Sequence, residues 1–291
     1  MMDTFYRAFE ERYYAPRSVI KQLRKQYLPF CDIVNSLYPG GETYDIGCGR
    51  GEWLELMLES GMAPFGVDLD DGMLQGCREL KLPAQQGDAV AYLTSLPDES
   101  QAIISAFHVV EHLSFDQLRT VVSEALRVLK PGGLLIMETP NPENILVATC
   151  NFYLDPTHQR PIPPQLLAFL PEYYGFTRTK IIRLQESKEL AINESPTLKD
   201  VLGATSPDYA VIAQKTADVK ILQLFDYIFS QEYGLSLNTL AGRFDSRLQQ
   251  AEVKAQQAEA GLQAVYNSRS WRITAPLRWL INIFRNKAAN Q

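Results

Sequence analysis

The sequence predicts an α/β fold organised around a parallel sheet, and three features carry the prediction. From Thr43 to Val211 the apolar runs TYDIG, APFGVD, AIISAF, LLIMET, TKIIRL and YAVIA are separated by segments long enough for helices, the alternation of a βαβ architecture with at least six strands. A glycine-rich turn, Asp45-Ile-Gly47-Cys48-Gly49-Arg50-Gly51, joins the first of these runs to the helical stretch WLELMLES. Acidic residues then follow the second and third strand regions, Asp68 in PFGVDLD and Asp88 in QQGDAV, at intervals of 23 and 20 residues.

Residues 1–40 precede the sheet and read as a helical cap punctuated by Pro16 and Pro29. A chain of 291 residues can hold one such domain, expected over residues 41–216, and an appendage. With 46% apolar and 21% charged residues the chain has the material for a core and is neither fibrous nor disordered in composition. A net charge of -6 argues against a nucleic-acid partner bound over the whole surface. Cys31, Cys48, Cys77 and Cys150 are dispersed without a C-x-x-C pair, so neither a disulfide framework nor a zinc ribbon is expected, and a reducing cytoplasm fits. No apolar signal region or run of the roughly 18 residues needed for a membrane span is present, so neither export nor integral insertion is expected.

Glycines in a strand-to-helix turn let the backbone bend sharply and approach a ligand without a Cβ in the way. A carboxylate at Asp68 can accept from both hydroxyls of a ribose, and Asp88 can accept from an adenine amino group. Gly47, Gly49 and Gly51 fall two apart rather than in the G-x-G-x-x-G spacing, which weighs against a dinucleotide.

The D-x-G-C-G-x-G turn, VDLD, GDA, the segment FHVVEHL and Arg127-Val-Leu-Lys-Pro131-Gly132-Gly133 before LLIMETPN resemble the class I S-adenosylmethionine (SAM) dependent methyltransferases of the ubiquinone-methylase-like group, over about residues 40–215. The resemblance implies a Rossmann-like seven-stranded sheet and SAM as cofactor. It places Asp45, Gly47, Gly49 and Gly51 around the methionine part, Asp68 and Leu69 at the ribose, Asp88 and Ala89 at the adenine, and Phe107 on the sulfonium side.

Methyl transfer from a sulfonium is an in-line displacement, so a hydroxyl acceptor needs a base, for which histidine suits neutral pH. His108, His112 and His158 all fall where such a fold places its active site. His158, in Tyr153-Leu-Asp155-Pro-Thr157-His158, is the candidate base, with Asp155 to orient it; the alternative is a histidine bonded within a Pro-rich loop. Glu111 and His112 read as acceptor-side or structural residues. His108-Val-Val-Glu111-His112 also fits the inverzincin pattern, but follows strand four of this fold rather than lying on a peptidase helix. No metal is expected; a divalent site including His108 is the alternative, and related methylases carry a carboxylate at that position. FHVV is also not the N-P-P-Y type of nucleic-acid amino methyltransferases, and Asn141-Pro142 follows strand five instead.

Beyond residue 216 the composition shifts. Leu237, Ala241, Phe244, Leu248, Ala251, Ala255, Ala258, Leu262 and Val265 recur at steps of four and three, the seam of a coiled coil over residues 217–267, and a homo-oligomer is expected. A single helix lying on the catalytic domain is the alternative. Residues 268–291 carry Arg269, Arg272, Arg278, Arg285 and Lys287 without an acid, and a helix after Thr274 would set Leu277, Leu280, Ile281 and Phe284 opposite Arg278, Asn282 and Arg285. With Trp271 and Trp279 as anchors, this tail suits an anionic membrane surface, or else a docking partner. NSRSWRITAPLRW, RAFEERYYAPRSVIKQLRKQYLPF and the 152–176 insertion are similar to segments of methyltransferases from bacterial surface-polysaccharide (O-antigen) clusters. That similarity implies a glycan acceptor, a lipid-linked polysaccharide methylated on a sugar hydroxyl with chain termination as one outcome, and a cytoplasmic enzyme peripheral to the inner face of the membrane. Tyr13, Tyr14, Tyr153, Tyr173 and Tyr174 could stack on a sugar, and Arg17 could close over SAM or acceptor. The alternatives are a quinone-type small-molecule methyltransferase and a non-catalytic scaffold.

Overall fold

A computed structural model describes Arg12 and residues 15–288, with the side chains of its last helix described as far as Ile281. Tyr13 and Tyr14 lie outside the described residues. Seven strands, β1 (Glu42–Ile46), β2 (Ala63–Asp68), β3 (Ala84–Gln86), β4 (Gln101–Phe107), β5 (Leu129–Pro140), β6 (Arg178–Leu184) and β7 (Asp208–Gln214), form one sheet in the order β3-β2-β1-β4-β5-β7-β6. The first five are parallel, and β7 runs antiparallel between β5 and β6. The expected Rossmann-like sheet is therefore present. Its strand order reverses between β1 and β4, which opens a crevice at their carboxyl ends.

All six apolar runs are strands. The seventh, β3, is a short polar edge strand with no apolar run to announce it. β5 starts at Leu129, ahead of LLIMET, because Pro131-Gly132-Gly133 continues the strand through a register shift opposite Gln101 and Ile103. A Cβ at Gly133 would lie 2.8 Å from the Ala102 carbonyl oxygen, so the close approach there requires glycine. Every residue of β4 is buried, as a central strand covered on both faces should be.

Successive residues of the central strands feed opposite layers. Ile104, Leu135 and Met137 pack with Leu118, Val121, Val122 and Ala125 of α6 (Phe115–Val128) and Leu167 and Leu170 of α8 (Pro164–Tyr174). Ile103, Leu134 and Ile136 pack under Tyr27, which follows α1 (Arg17–Arg24), under Phe30, Cys31 and Val34 of α2 (Leu28–Leu37), and under Trp53 and Met57 of α3 (Glu52–Glu59). Ahead of the sheet, the chain is helical over α1 and α2. The remaining crossovers hold α4 (Leu74–Glu79), α5 (Ala89–Ser95) and α7 (Ile145–Thr149). Cys31, Cys48 and Cys77 are buried thiols and Cys150 is exposed.

The break expected at residue 216 is not a break in packing. After α9 (Lys188–Ile192) and α10 (Leu198–Gly203), the short helices α11 (Val219–Gln223) and α12 (Asp226–Ser230) return to the sheet, and Phe225 and Ile228 are buried in the same cluster as Phe30. The long helix α13 (Leu237–Asn267) is anchored only at its start, where Leu240 is fully buried among Val201, Leu235, Leu190 and Phe244. Arg243 donates to the carbonyls of Leu190 and Asn193 at 3.1 and 3.2 Å, and Arg247 to that of Pro196 at 3.0 Å. Every residue from Asp245 to Asn267 is exposed, so α13 does not lie along the catalytic domain. It is followed by α14 (Arg269–Ile273) and α15 (Ala275–Ala288), and among the described residues no helix is long and apolar enough to cross a membrane.

Truncating Leu240 removes the only fully buried contact of α13. Leu240→Ala is expected to weaken this satellite cluster by about 2–4 kcal/mol. Hydrogen exchange should then quicken across α10 and the first two turns of α13 while the amides of β4 and β5 keep their protection; an unchanged exchange map would show that the arginine contacts hold the helix alone.

Candidate active site

The crevice is a cavity of about 550 Å³, the size of a small-molecule site. Asp45, Gly47, Gly49 and Phe107 line it, four of the residues expected around SAM. Gly47 has φ +66°, and a Cβ there would stand 2.6 Å from Val109 Cγ2, so the turn tolerates only glycine at that point. Gly51 ends the turn in the left-handed conformation and caps α3 rather than lining the cavity. Asp68 lies at the end of β2, where Oδ2 accepts from the Gly49 amide and Oδ1 from the Asp70 amide, both at 2.8 Å. Each oxygen keeps a second acceptor direction. Leu69 is exposed beside it. Asp88 is the N-cap of α5, accepting from Val90 and Ala91 at 2.9 and 3.0 Å, and Ala89 is buried behind it. Asp68, Leu69, Asp88 and Ala89 lie outside the enclosed part of the cavity.

These residues fit an adenosyl cation. Asp45 is buried, and desolvation pushes its carboxyl up to about 7 against the opposing Ser105 hydroxyl, which donates at 2.6 Å, and the Arg24 cation. A cationic ligand would relieve that penalty. Trp53, also in the wall, has a buried indole N–H with no acceptor among the described residues.

Glu138 forms the back wall and has no solvent exposure. Its carboxylate accepts from the Arg24 guanidinium and the Tyr27 hydroxyl, residues 114 and 111 positions away. Burial pushes the Glu138 carboxyl up, but Arg24, His108 and Tyr27 outweigh it and hold it well below the usual carboxylate range. Arg24 also lies over Phe107, 4.1 Å from the ring centre.

His108 follows β4 with φ +55°, a strained backbone for a residue with a side chain. Its Nε2 is 3.2 Å from Glu138 Oε1 and 3.9 Å from Asp208 Oδ1, and its Nδ1 is 3.3 Å from Glu111 Oε1. Burial disfavours charge on this ring, yet Asp208, Glu111 and Glu138 raise it well above the ordinary histidine range. His108 is therefore an imidazolium at neutral pH.

The insertion after β5 folds back so that the 155–158 segment meets His112. Asp155 Oδ1 accepts from the Thr157 hydroxyl at 2.6 Å. Having given its only proton, that hydroxyl accepts from His112 Nδ1 at 2.9 Å, which leaves Nε2 as a lone pair. Burial and neighbouring His158 lower the His112 pKa despite Glu111, so the ring is neutral at pH 7. His158 stands beside it, ring centres 4.7 Å apart, with Nδ1 2.6 Å from the Phe152 carbonyl. The expected pairing is thereby revised: Asp155 Oδ2 is 4.0 Å from His158 Nε2, too far to orient it by a hydrogen bond, and Asp155 acts through Thr157 on His112 instead. Arg17 does not close over the cavity; it grips Glu55 and the Arg50 and Gly51 carbonyls at the end of the glycine turn. Tyr153 and Tyr173 are exposed and Tyr174 accepts from Arg119, all outside the cavity wall. Asn141 is buried, donating to the Ser206 carbonyl at 2.8 Å, a structural role.

Among the described residues two groups could hold a metal, Glu111 with His112 and His158, and His108 with Glu138 and Asp208, each offering ligand atoms within 4.8 Å of one another. Arg24 and Tyr27 already occupy Glu138, which disfavours the second group. Arg24, Tyr27, Glu138 and Thr157 were not visible as site residues in the sequence; their only signal was a carboxylate inside the apolar run LLIMET and a threonine between two candidate residues. Arg24→Ala leaves the Glu138 carboxylate buried without its cation and is expected to cost about 3–5 kcal/mol by denaturant unfolding at pH 7. Because the folded-state pKa of Glu138 is depressed, its contribution is present above the ordinary carboxylate range and is lost as pH falls through that lowered value, so the wild type's excess stability over Arg24→Ala should shrink on acidification.

Residues 44–137 match the family described as "Methyltransferase domain". A SAM-dependent methyltransferase of known crystal structure from Archaeoglobus fulgidus is 33% identical, with a TM-score of 0.63, over 73% of this chain and 100% of that one. A Mycolicibacterium smegmatis protein named "Probable S-adenosylmethionine-dependent methyltransferase" is 31% identical over 139 residues, 47% of this chain and 52% of that protein. A ubiquinone biosynthesis O-methyltransferase of Idiomarina loihiensis is 28% identical over 144 residues, 46% of this chain and 58% of that one. The chain thus spans about half the length of these last two relatives. With a glycine turn, an acidic β2 terminus and a seven-stranded sheet in this order, the chain belongs to the class I SAM-dependent methyltransferases.

Proposed function

We propose that this enzyme transfers the methyl group of SAM to a sugar hydroxyl of a lipid-linked bacterial polysaccharide, at the cytoplasmic face of the membrane. The observation that carries the hydroxyl chemistry is the Asp155–Thr157–His112 relay on the wall of the SAM cavity. The bound cofactor supplies an electrophilic methyl on sulfur; the rest is the work of side chains. Asp45, Gly47, Gly49 and Asp68 would hold the methionine and ribose parts, with Leu69, Asp88 and Ala89 on the adenosine side and Phe107 near the sulfonium. The carboxylates of Asp45, Glu138, Glu111 and Asp208 against His108 and Arg24 favour a cation in this crevice. His112 Nε2 takes the acceptor proton as the new bond forms, and Asp155 stabilises the resulting imidazolium through Thr157. His158, fixed by the Phe152 carbonyl, orients the acceptor beside it.

The acceptor class rests on the tail. Ile273, Leu277, Trp279 and Ile281 are exposed on helices that carry arginines and no acids, the composition of a segment that lies in an anionic membrane surface. A second reading, a quinone-type acceptor, is favoured by the similarity to the ubiquinone biosynthesis O-methyltransferase, and it assigns the tail no part in turnover.

His112→Ala is expected to lower kcat by about 10²- to 10⁴-fold at unchanged SAM affinity, with a smaller loss for Thr157→Val. A full loss confined to His158→Ala would move the base to His158, and activity abolished by EDTA and restored by a divalent cation would make Glu111, His112 and His158 ligands instead. A chain ending at Asn267, which keeps Phe225, Ile228 and Leu240, should bind SAM normally yet fail to label glycan on membranes. Equal turnover of a soluble aromatic acceptor by both lengths of chain, with no glycan labelled, would favour the quinone reading.

A further inference from the structure

The exposed part of α13 carries a charge pattern that a solvated helix has no reason to adopt. Continuing the seam, Leu248, Ala255 and Leu262 occupy the a positions, and Ala251, Ala258 and Val265 the d positions. The charged residues between Phe244 and Asn267 are Asp245, Arg247, Glu252, Lys254 and Glu259, and all of them fall beside the seam, the acids at e and the bases at g. The outward b, c and f positions hold only uncharged residues, Gln249, Gln250, Gln256, Gln257 and Gln263 among them. A helix that merely projects into water places its charges on the outward face. Here they line the edges of an apolar stripe whose Leu248, Leu262 and Val265 are each about half exposed, at 50%, 50% and 49%.

We propose that residues 245–267 pair with the same segment of a second copy of this chain as a parallel, in-register, two-stranded coiled coil. In that arrangement each g residue faces the e residue five positions on in the partner helix. Arg247 then meets Glu252 of the second copy and Lys254 meets its Glu259, each pair occurring twice by symmetry. An antiparallel pair would instead set g against g and e against e, bringing bases to bases and acids to acids. Among the described residues no ion pair within the chain occupies Glu252, Lys254 or Glu259, so all are available to a partner. The alanines at Ala251, Ala255 and Ala258 let two backbones approach closely. Arg247, which also grips the Pro196 carbonyl, marks the point where the helix leaves its own domain. Both catalytic domains then sit at one end of the coil and both basic tails at the other.

The test uses the full-length chain of 32.9 kDa in light scattering and sedimentation, across a range of concentrations. A concentration-dependent species of twice that mass is expected. Lys254→Glu should weaken association on the order of tenfold, and adding Glu259→Lys should restore it. Ala258→Cys, in a chain with Cys150→Ser to remove the exposed native thiol, should form a disulfide between equivalent residues on mild oxidation, since d positions meet their own counterparts only in a parallel, in-register pair. Because these side chains are exposed, the variants keep the fold, which circular dichroism checks. A monomer at all concentrations, a threefold mass, tighter association of Lys254→Glu, or no rescue by the second substitution would overturn the proposal. None of these readouts involves methyl transfer, so the dimer and the catalytic reading fail separately.

Discussion

The carboxylate of Glu138 constrains more of this structure than any other single group. It sits near the carboxyl end of the central strand β5 with no access to water, a position that costs several kcal/mol unless donors surround it. Its partners come from separate parts of the chain: Arg24 and Tyr27 from the N-terminal helices, and His108 from the turn after β4. The N-terminal cap is therefore a wall of the active site rather than an appendage to it. Removing that cap would strip Glu138 of its cation and uncover Ile103, Leu134 and Ile136 at the same time.

The same carboxylate separates the roles of the histidines. A ring with carboxylates at both nitrogens holds both protons, whereas a ring that donates one N–H to a carbonyl or hydroxyl is left a lone pair on its other nitrogen. His108, between Glu138, Glu111 and Asp208, belongs to the first kind; His112, whose Nδ1 donates to the Thr157 hydroxyl, belongs to the second, and His158 is held beside it by its Nδ1 on the Phe152 carbonyl. An imidazolium and a neutral imidazole thus stand one turn apart in His108-Val-Val-Glu111-His112, and Glu111, bonded by Thr139, holds its place between them. Environments that push like groups apart are what acid–base chemistry at neutral pH requires.

How much of this was legible in the sequence depended on distance along the chain. The glycine turn, Asp68 and the apolar runs are local patterns, and the sheet follows from them. β3 was the weakest strand because three residues on a polar edge carry no periodicity, and the continuation of packing past residue 216 was hidden because Phe225 sits in the turn between two five-residue helices and Ile228 in the second of them. Within the site, the histidines could be named from their position after β4 and in the insertion. Their division of labour could not, because it rests on contacts such as His112 with Thr157, 45 residues away, and Arg24 with Glu138. Asp155 was expected to orient His158, three positions on, whereas the fold delivers its oxygen to the Thr157 hydroxyl.

The far end of the molecule follows a logic of paired weak contacts. On the proposed reading, an alanine-rich seam of about three heptads would give modest association, and one short amphipathic helix modest, reversible membrane binding. In a parallel pair the two tails share one end, so binding of the first raises the effective concentration of the second at the same surface. Linkage makes the relation reciprocal: a membrane that holds both tails favours the dimer by the same factor as the dimer favours the membrane. Arg278 lies over Trp271 at 3.7 Å and ties the start of α15 to α14. On these two proposals, two individually weak segments would anchor strongly only when both are engaged, and methyl transfer would be confined to places where acceptor and membrane coincide.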